Sequence, residues 1–178
     1  NAEGEWQFVN VAHEAGVEEP YDSFPAWFWD FNNDGWTDIF VSGYSLDYFG
    51  SFASETAADY LGRSFNAETP RLYQNKGDGT FSNVTEEAGI ARPLFAMGSN
   101  FGDIDNDGYL DFYLGTGEPD FRSIIPNRMF RNEAGRYFQD VTTVGGFGHL
   151  QKGHGVSFGD VDNDGDQDIY AVMGGAYE

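Results

Sequence analysis

Cysteine is absent from this 178-residue chain, which removes a disulfide framework and thiol catalysis. Basic residues are scarce: Lys and Arg total 9 against 30 Asp and Glu, for a formal net charge of -21. That balance argues against a nucleic-acid partner, because no basic surface exists to replace phosphate counterions. An anionic membrane surface would repel the chain as well. No apolar run reaches membrane-spanning length and no signal peptide is present. The chain opens at Asn1 rather than methionine, which fits a processed or trimmed product. Its length suggests one domain or part of a larger one. Aromatic residues, by contrast, make up 17% of the chain, unlike a disordered acidic tail. The 24 glycines favour short strands and tight turns.

The acidic residues concentrate in three segments spelled D-x-[DN]-x-D-G-x-x-D, beginning at Asp30, Asp103 and Asp160. Oxygen ligands at loop positions 1, 3 and 5 converge when a loop curls, and glycine at position 6 permits the curl. The first loop offers Asp30, Asn32, Asp34 and Asp38, with the carbonyl of Trp36 at position 7. The second offers Asp103, Asp105, Asp107 and Asp111 with the carbonyl of Tyr109, and the third Asp160, Asp162, Asp164 and Asp168 with that of Asp166. The final Asp of each loop is expected to close the shell in bidentate fashion. A set of hard oxygens without nitrogen or sulfur suits Ca2+ better than Mg2+, so three calcium sites are expected. Asn32 removes one charge, so the first site is expected to bind more weakly. Without metal the crowded carboxylates would repel one another, which couples calcium to folding.

These loops differ from an EF-hand, which places Glu at position 12 and then a helix. Position 12 here is Val41, Leu114 or Ala171, inside strand-like runs rich in β-branched and aromatic residues. Strand-like runs also precede each loop, so the unit is a hairpin stapled at its turn. A second hairpin recurs between the loops: Pro70–Asn75 then Thr80–Thr85, and Asn127–Asn132 then Tyr137–Thr142, each pair joined by a Gly-bearing turn. The last strand of the unit recurs alone as Phe8–Ala12. With strands lettered A to D, the order D, ABCD, ABCD, AB predicts an all-β chain of β-propeller-type blades, about 2.75 of them, each of four antiparallel strands with its calcium loop between A and B. The expected division is an orphan D strand and linker over 1–22, blade 1 over 23–90 with an insertion at 44–69, blade 2 over 91–145, and half of blade 3 over 146–178. Within the insertion, Ser54 to Leu61 is expected to form a short helix with Ser54 as N-cap and Gly62 as its stop.

Phe101-Gly102-Asp103 and Phe158-Gly159-Asp160, each leading into an acidic loop, resemble FG-GAP (VCBS) repeats, the blades of integrin α-subunit propellers. RLYQNKGDGTFSNVTEEAGI together with FGDIDNDGYLDFYLGTG more closely resembles the secreted cartilage acidic protein family, whose bacterial members often carry an ASPIC/UnbV segment. The resemblance implies an extracellular or exported calcium-binding propeller, serving adhesion or interaction without established catalysis, and it carries the calcium ligands onto the loop positions already named. Blade 1 departs from the pattern: Trp29 stands where F-G-D has glycine, and Asn32 replaces an acid.

A closed propeller needs at least about four blades. Either the chain is part of a larger propeller, or it closes with strands of another copy through open sheet edges, the Phe8–Ala12 strand being the donor. His149, Lys152 and His154 in a Gly-rich stretch would serve an alternative reading, an exported lyase or hydrolase on a propeller scaffold; the simpler reading is an interblade loop. Trp27, Phe28 and Trp29 beside Trp36 are either a carbohydrate platform or blade packing. Asn83-Val84-Thr85 is an N-glycosylation sequon, consistent with a secreted surface. Arg71, Arg128 and Arg131 are expected to pair with carboxylates.

Overall fold

The computed structural model describes residues 4, 6–45, 51–117, 120 and 123–174. Two four-stranded sheets follow one another along the chain. The first joins β1 (Ser23–Trp29), β2 (Asp38–Gly43), β3 (Arg71–Asn75) and β4 (Phe81–Asn83) in that order; the second joins β5 (Ala96–Gly102), β6 (Asp111–Thr116), β7 (Arg128–Asn132) and β8 (Phe138–Asp140). A third sheet consists of β9 (Gly153–Gly159) and β10 (Asp168–Met173). Every pairing is antiparallel. The first hairpins end on equivalent pairs, Trp29 with Asp38, Gly102 with Asp111 and Gly159 with Asp168. The acidic loops therefore lie at the same end of each sheet.

The main core lies between the first two sheets. Strand alternation sends Trp27, Trp29 and Phe40 toward Phe112, Phe130 and Phe138. Trp27 stacks on Phe40 at 4.1 Å, and Trp29 on Phe138 at 5.6 Å. Burying one such side chain contributes about 1.5–3 kcal/mol, so this aromatic layer outweighs the exposed loop contacts in joining the sheets. The third sheet meets the second backbone to backbone. A Cβ on Gly98 would fall 1.0 Å from the His154 carbonyl oxygen, so only glycine permits the β5–β9 approach. At the two ends of the array the same strand positions are bare. Phe28 is 69% exposed, whereas the equivalent Phe101 packs in the core; Tyr170 is 67% exposed, whereas the equivalent Tyr113 is buried.

Two local expectations need correction. Phe8–Ala12 is not a strand: residues 6–11 have no regular structure, and a short helix α1 (Ala12–Ala15) follows. The equivalent segments β4 and β8 are strands because β3 and β7 pair with them; the N-terminal segment has no such neighbour among the described residues. Its turn nonetheless repeats the later ones. Asn10 Oδ1 accepts from the Ala12 amide as Asn83 Oδ1 accepts from Thr85, and Gly16 and Gly89 close the turns at φ 76° and 75°. The insertion helix α2 spans Phe52–Tyr60, and its N-cap is Ser51, not Ser54. The Ser54 amide donates to Ser51 Oγ at 3.1 Å, which satisfies an otherwise orphan donor. Residues 46–50 of the insertion lie outside the described residues. The helix is pinned to the second sheet: Phe52 stacks on Phe95 at 4.0 Å, and Arg92 bridges Asp59 at 2.6 Å and Asp140 at 2.8 Å. Arg128 reaches the same Asp140 at 2.6 Å, and both guanidinium groups lie over the Tyr60 ring.

Candidate metal centres

The three acidic loops share one hydrogen-bond frame. The position-1 carboxylate accepts two amides, from positions 5 and 6. These are Asp34 and Gly35 onto Asp30 at 3.0 and 2.8 Å, Asp107 and Gly108 onto Asp103 at 3.1 and 2.9 Å, and Asp164 and Gly165 onto Asp160, both at 3.1 Å. The position-5 carboxylate accepts the amide of position 7, from Trp36, Tyr109 or Asp166. Two residues per loop adopt left-handed backbone: Gly35, Gly108 and Gly165 at position 6, and Asn33, Asn106 and Asn163 at position 4. The asparagine was not singled out from sequence, yet the repeated Asn-Asp-Gly carries its signal, since Asn is the non-glycine residue most tolerant of that region.

In the second and third loops this frame gathers three carboxylates. Asp103, Asp105 and Asp111 bring one oxygen each within 4.8 Å of one another, and so do Asp160, Asp162 and Asp168. Two ligands on opposite sides of a calcium ion are separated by about 4.6–5.2 Å, so these oxygens are spaced to share one. Asp107 and Asp164 stand outside these groups, with one oxygen held by the turn. In the first loop Asn32 takes the position-3 place; its Oδ1 accepts from Asp34 and its Nδ2 donates to the Asp34 carboxylate at 2.9 Å.

Position 9 is the most constrained of the loop carboxylates. Asp38 and Asp111 are fully buried. Each accepts one amide from its own loop, Phe31 at 3.2 Å or Ile104 at 2.8 Å. Each also accepts one from the end of the third strand, Asn75 at 2.8 Å or Asn132 at 2.7 Å. Burial pushes both carboxyls up to about 6, despite these hydrogen bonds. A bound cation would favour the ionised form instead. Asp168 accepts the Val161 amide at 2.9 Å and no other among the described residues, and is more exposed.

The remaining candidates behave as scaffold. Trp27 and Trp29 pack in the core, Trp36 rests on Gly77 and Phe28 is exposed, so the four rings do not share one face. Arg71 pairs with Glu19 at 2.7 Å, and Arg131 with Glu133, 3.9 Å from Asp105. His149 is exposed, its carbonyl accepting from Asn127, and the His154 ring lies against Gly174. Neither histidine joins a potential metal-holding group among the described residues. Asn83 is exposed, with Oδ1 engaged by Thr85. No helix is long and apolar enough to cross a membrane among the described residues.

Successive four-stranded antiparallel sheets, each opening on an acidic hairpin loop, define a β-sheet repeat protein. The chain belongs to the FG-GAP-like repeat family, whose model matches residues 30–114 and 115–171. No curated protein matches it.

Proposed function

We propose that this chain is an extracellular calcium-stapled module that serves protein interaction or adhesion. Each acidic loop holds one Ca2+, and the ions rigidify the hairpins so that their outer surfaces stay fixed for a partner. The observation that carries this reading is the convergence of carboxylates from positions 1, 3 and 9 in the second and third loops, on a backbone frame that the first loop shares. The donor set is entirely oxygen, and calcium rather than magnesium tolerates so many protein ligands. Millimolar extracellular calcium would fill even weak sites of this kind, which favours an exported setting, as does the exposed sequon asparagine Asn83. Blades of this type close into a propeller when more of them stack. The apolar residues Phe24, Phe28, Tyr170 and Val172, exposed on the two end sheets, support stacking against further blades or further copies. The resemblance to the cartilage acidic protein family points the same way.

Thermal melting in calcium and in chelator tests the reading. Calcium should raise the midpoint markedly, with magnesium far less effective. An unchanged midpoint in saturating calcium would remove it.

A further inference from the structure

The first and second acidic loops touch. Asn33 Nδ2 donates to the Gly108 carbonyl at 2.9 Å, and the C–D turn of the second sheet presses on loop 1, where a Cβ on Gly135 would fall 2.7 Å from the Asn32 Cα. Between them lies Asn132, 1% exposed. Its amide donates to Asp111 Oδ1, while its side-chain nitrogen donates to the Phe31 carbonyl of loop 1 at 2.8 Å and the Leu110 carbonyl of loop 2 at 3.1 Å. Its Oδ1 accepts from Gly135. The Phe31 amide in turn holds Asp38. A short hydrogen-bonded chain thus runs from the position-9 carboxylate of loop 2 to that of loop 1. No hydrogen bond joins loops 2 and 3 among the described residues.

The geometry points to Asn132 as a positioning residue that couples the two metal loops, so that filling loop 2 orders loop 1 for its ion while loop 3 fills independently. This rests on the calcium reading above and deepens it. Asn132 touches no ion in the scheme. When Asp111 is fixed by a ligand, the Asn132 amide is fixed with it, and its side chain then holds the Phe31 peptide in the curl that Asp30, Asn32 and Asp38 share. Charge alone acts in the opposite sense. An empty, acidic loop 2 attracts a cation to its neighbour, so filling it weakens that attraction. Coupling through Asn132 is positive because one peptide geometry serves both loops, it has to exceed this charge effect, and by linkage it is reciprocal.

The test follows calcium titration through the backbone amide NMR signals of Gly35, Gly108 and Gly165, each of which donates to the position-1 carboxylate of its own loop. Asp105→Glu keeps the charge but misplaces the carboxylate, and so weakens loop 2. Loop 1 should then lose affinity by about 5- to 10-fold more than loop 3. The comparison is repeated in Asn132→Ala, which deletes the bridge but keeps the amide to Asp111. It is also repeated in Asn33→Gly, an exposed change that retains left-handed backbone. The excess loss at loop 1 should vanish in the first background and shrink in the second, as a double-mutant cycle requires. Should Asn132→Ala not fold, Asn132→Leu, similar in volume and likewise without the side-chain donor, takes its place. Equal losses at loops 1 and 3, or an excess that survives both substitutions, overturns the coupling while leaving the calcium reading intact. If no glycine amide responds to calcium, the calcium reading itself is lost, and the coupling with it.

Discussion

Trp29 offers a direct measurement of what joins the first two sheets. It occupies the place held by Gly102 and Gly159 in the other hairpins, yet it is 4% exposed and touches Trp27, Phe31, Phe101, Phe112 and Phe138. Trp29→Gly, which restores the repeat pattern, should therefore be costly. Emptying such a site costs about 3–5 kcal/mol, because the surrounding rings cannot fully collapse. Glycine in a strand adds about 0.5–1 kcal/mol. Against this, the indole Nε1 is buried without a hydrogen-bond partner among the described residues, and deleting it returns about 1–3 kcal/mol. The net expectation is a loss of about 3 kcal/mol, a large share of the roughly 5–15 kcal/mol that holds a domain. Urea unfolding at fixed calcium would read this as a midpoint lowered by about 1–2 M with an unchanged slope. Trp29→Phe keeps a ring and drops the unpaired donor, so it should stay within about 1 kcal/mol of the parent. A loss below about 1 kcal/mol for the glycine variant, or equal losses for both, would refute the packing argument. Gly102 gives the reciprocal: a Cβ there would lie 2.5 Å from the Phe158 ring and 2.2 Å from Gln167 Oε1, so Gly102→Ala should cost about 1–3 kcal/mol by overpacking.

Three further outcomes are expected. In chelator at a pH of about 5, where Asp111 is largely protonated because burial raises it to about 6, Asp111→Ala should cost about 2–5 kcal/mol, because it leaves the Ile104 and Asn132 amides unpaired; Asp78→Ala, in an exposed turn, should barely move the midpoint in the same urea assay. Burial pushes the Asp38 and Asp111 carboxyls up to about 6 in the folded, metal-free chain, above the unfolded value of about 3.9. The folded state then binds protons more tightly, so the metal-free chain should gain stability as pH falls through about 6 toward 4. In calcium, protons compete with the ion, and the same acidification should lower the melting point; identical trends in both buffers would contradict the assignment. Finally, calcium should fill loop 2 first and loop 1 last. Asn32 removes a charge worth about 3 kcal/mol beside a divalent ion even in water, whereas loop 3 keeps its full set of carboxylates and differs by one amide, Asp168 accepting one among the described residues where Asp111 accepts two, a difference worth about 1 kcal/mol. Saturation of Gly35 before Gly165 in the amide titration would reverse that ranking.

Much of the repeat was legible because its signals are local. The spelling of the acidic loops, the alternating runs on either side and the Gly-bearing turns together specify hairpins, and the hairpins appear as expected. The helix cap was misplaced by one turn because two serines compete: Ser51 and Ser54 are equivalent in composition, and only the reach of the Ser51 hydroxyl to the Ser54 amide separates them. Asn at loop position 4 recurs in all three loops, and its left-handed backbone two residues before the glycine helps to tighten the curl. The burial of Asp38 and Asp111 was not legible, since their second amide comes from the third strand, and for Asp38 that strand follows a long insertion.

What local spelling cannot decide is the neighbour. Phe8-Val9-Asn10-Val11 and Phe81-Ser82-Asn83-Val84 lead into the same kind of glycine-closed turn, yet only the second pairs as a strand. The Val84 amide donates to the Leu72 carbonyl, and the Leu72 amide donates to Thr85 Oγ1; Ala12 stands where Thr85 does and has no hydroxyl to offer a third strand. Phe28 and Phe101 occupy equivalent strand positions as well, one bare and one in the core. A strand's backbone groups and one of its faces are satisfied by residues far along the chain, such as the 101-residue separation spanned by Asn132 and Phe31. The repeat pattern therefore determines what each unit needs on either side, and the stacking of units determines whether it gets it. That is why the two end faces keep the aromatic residues of an interior surface while exposing them to solvent.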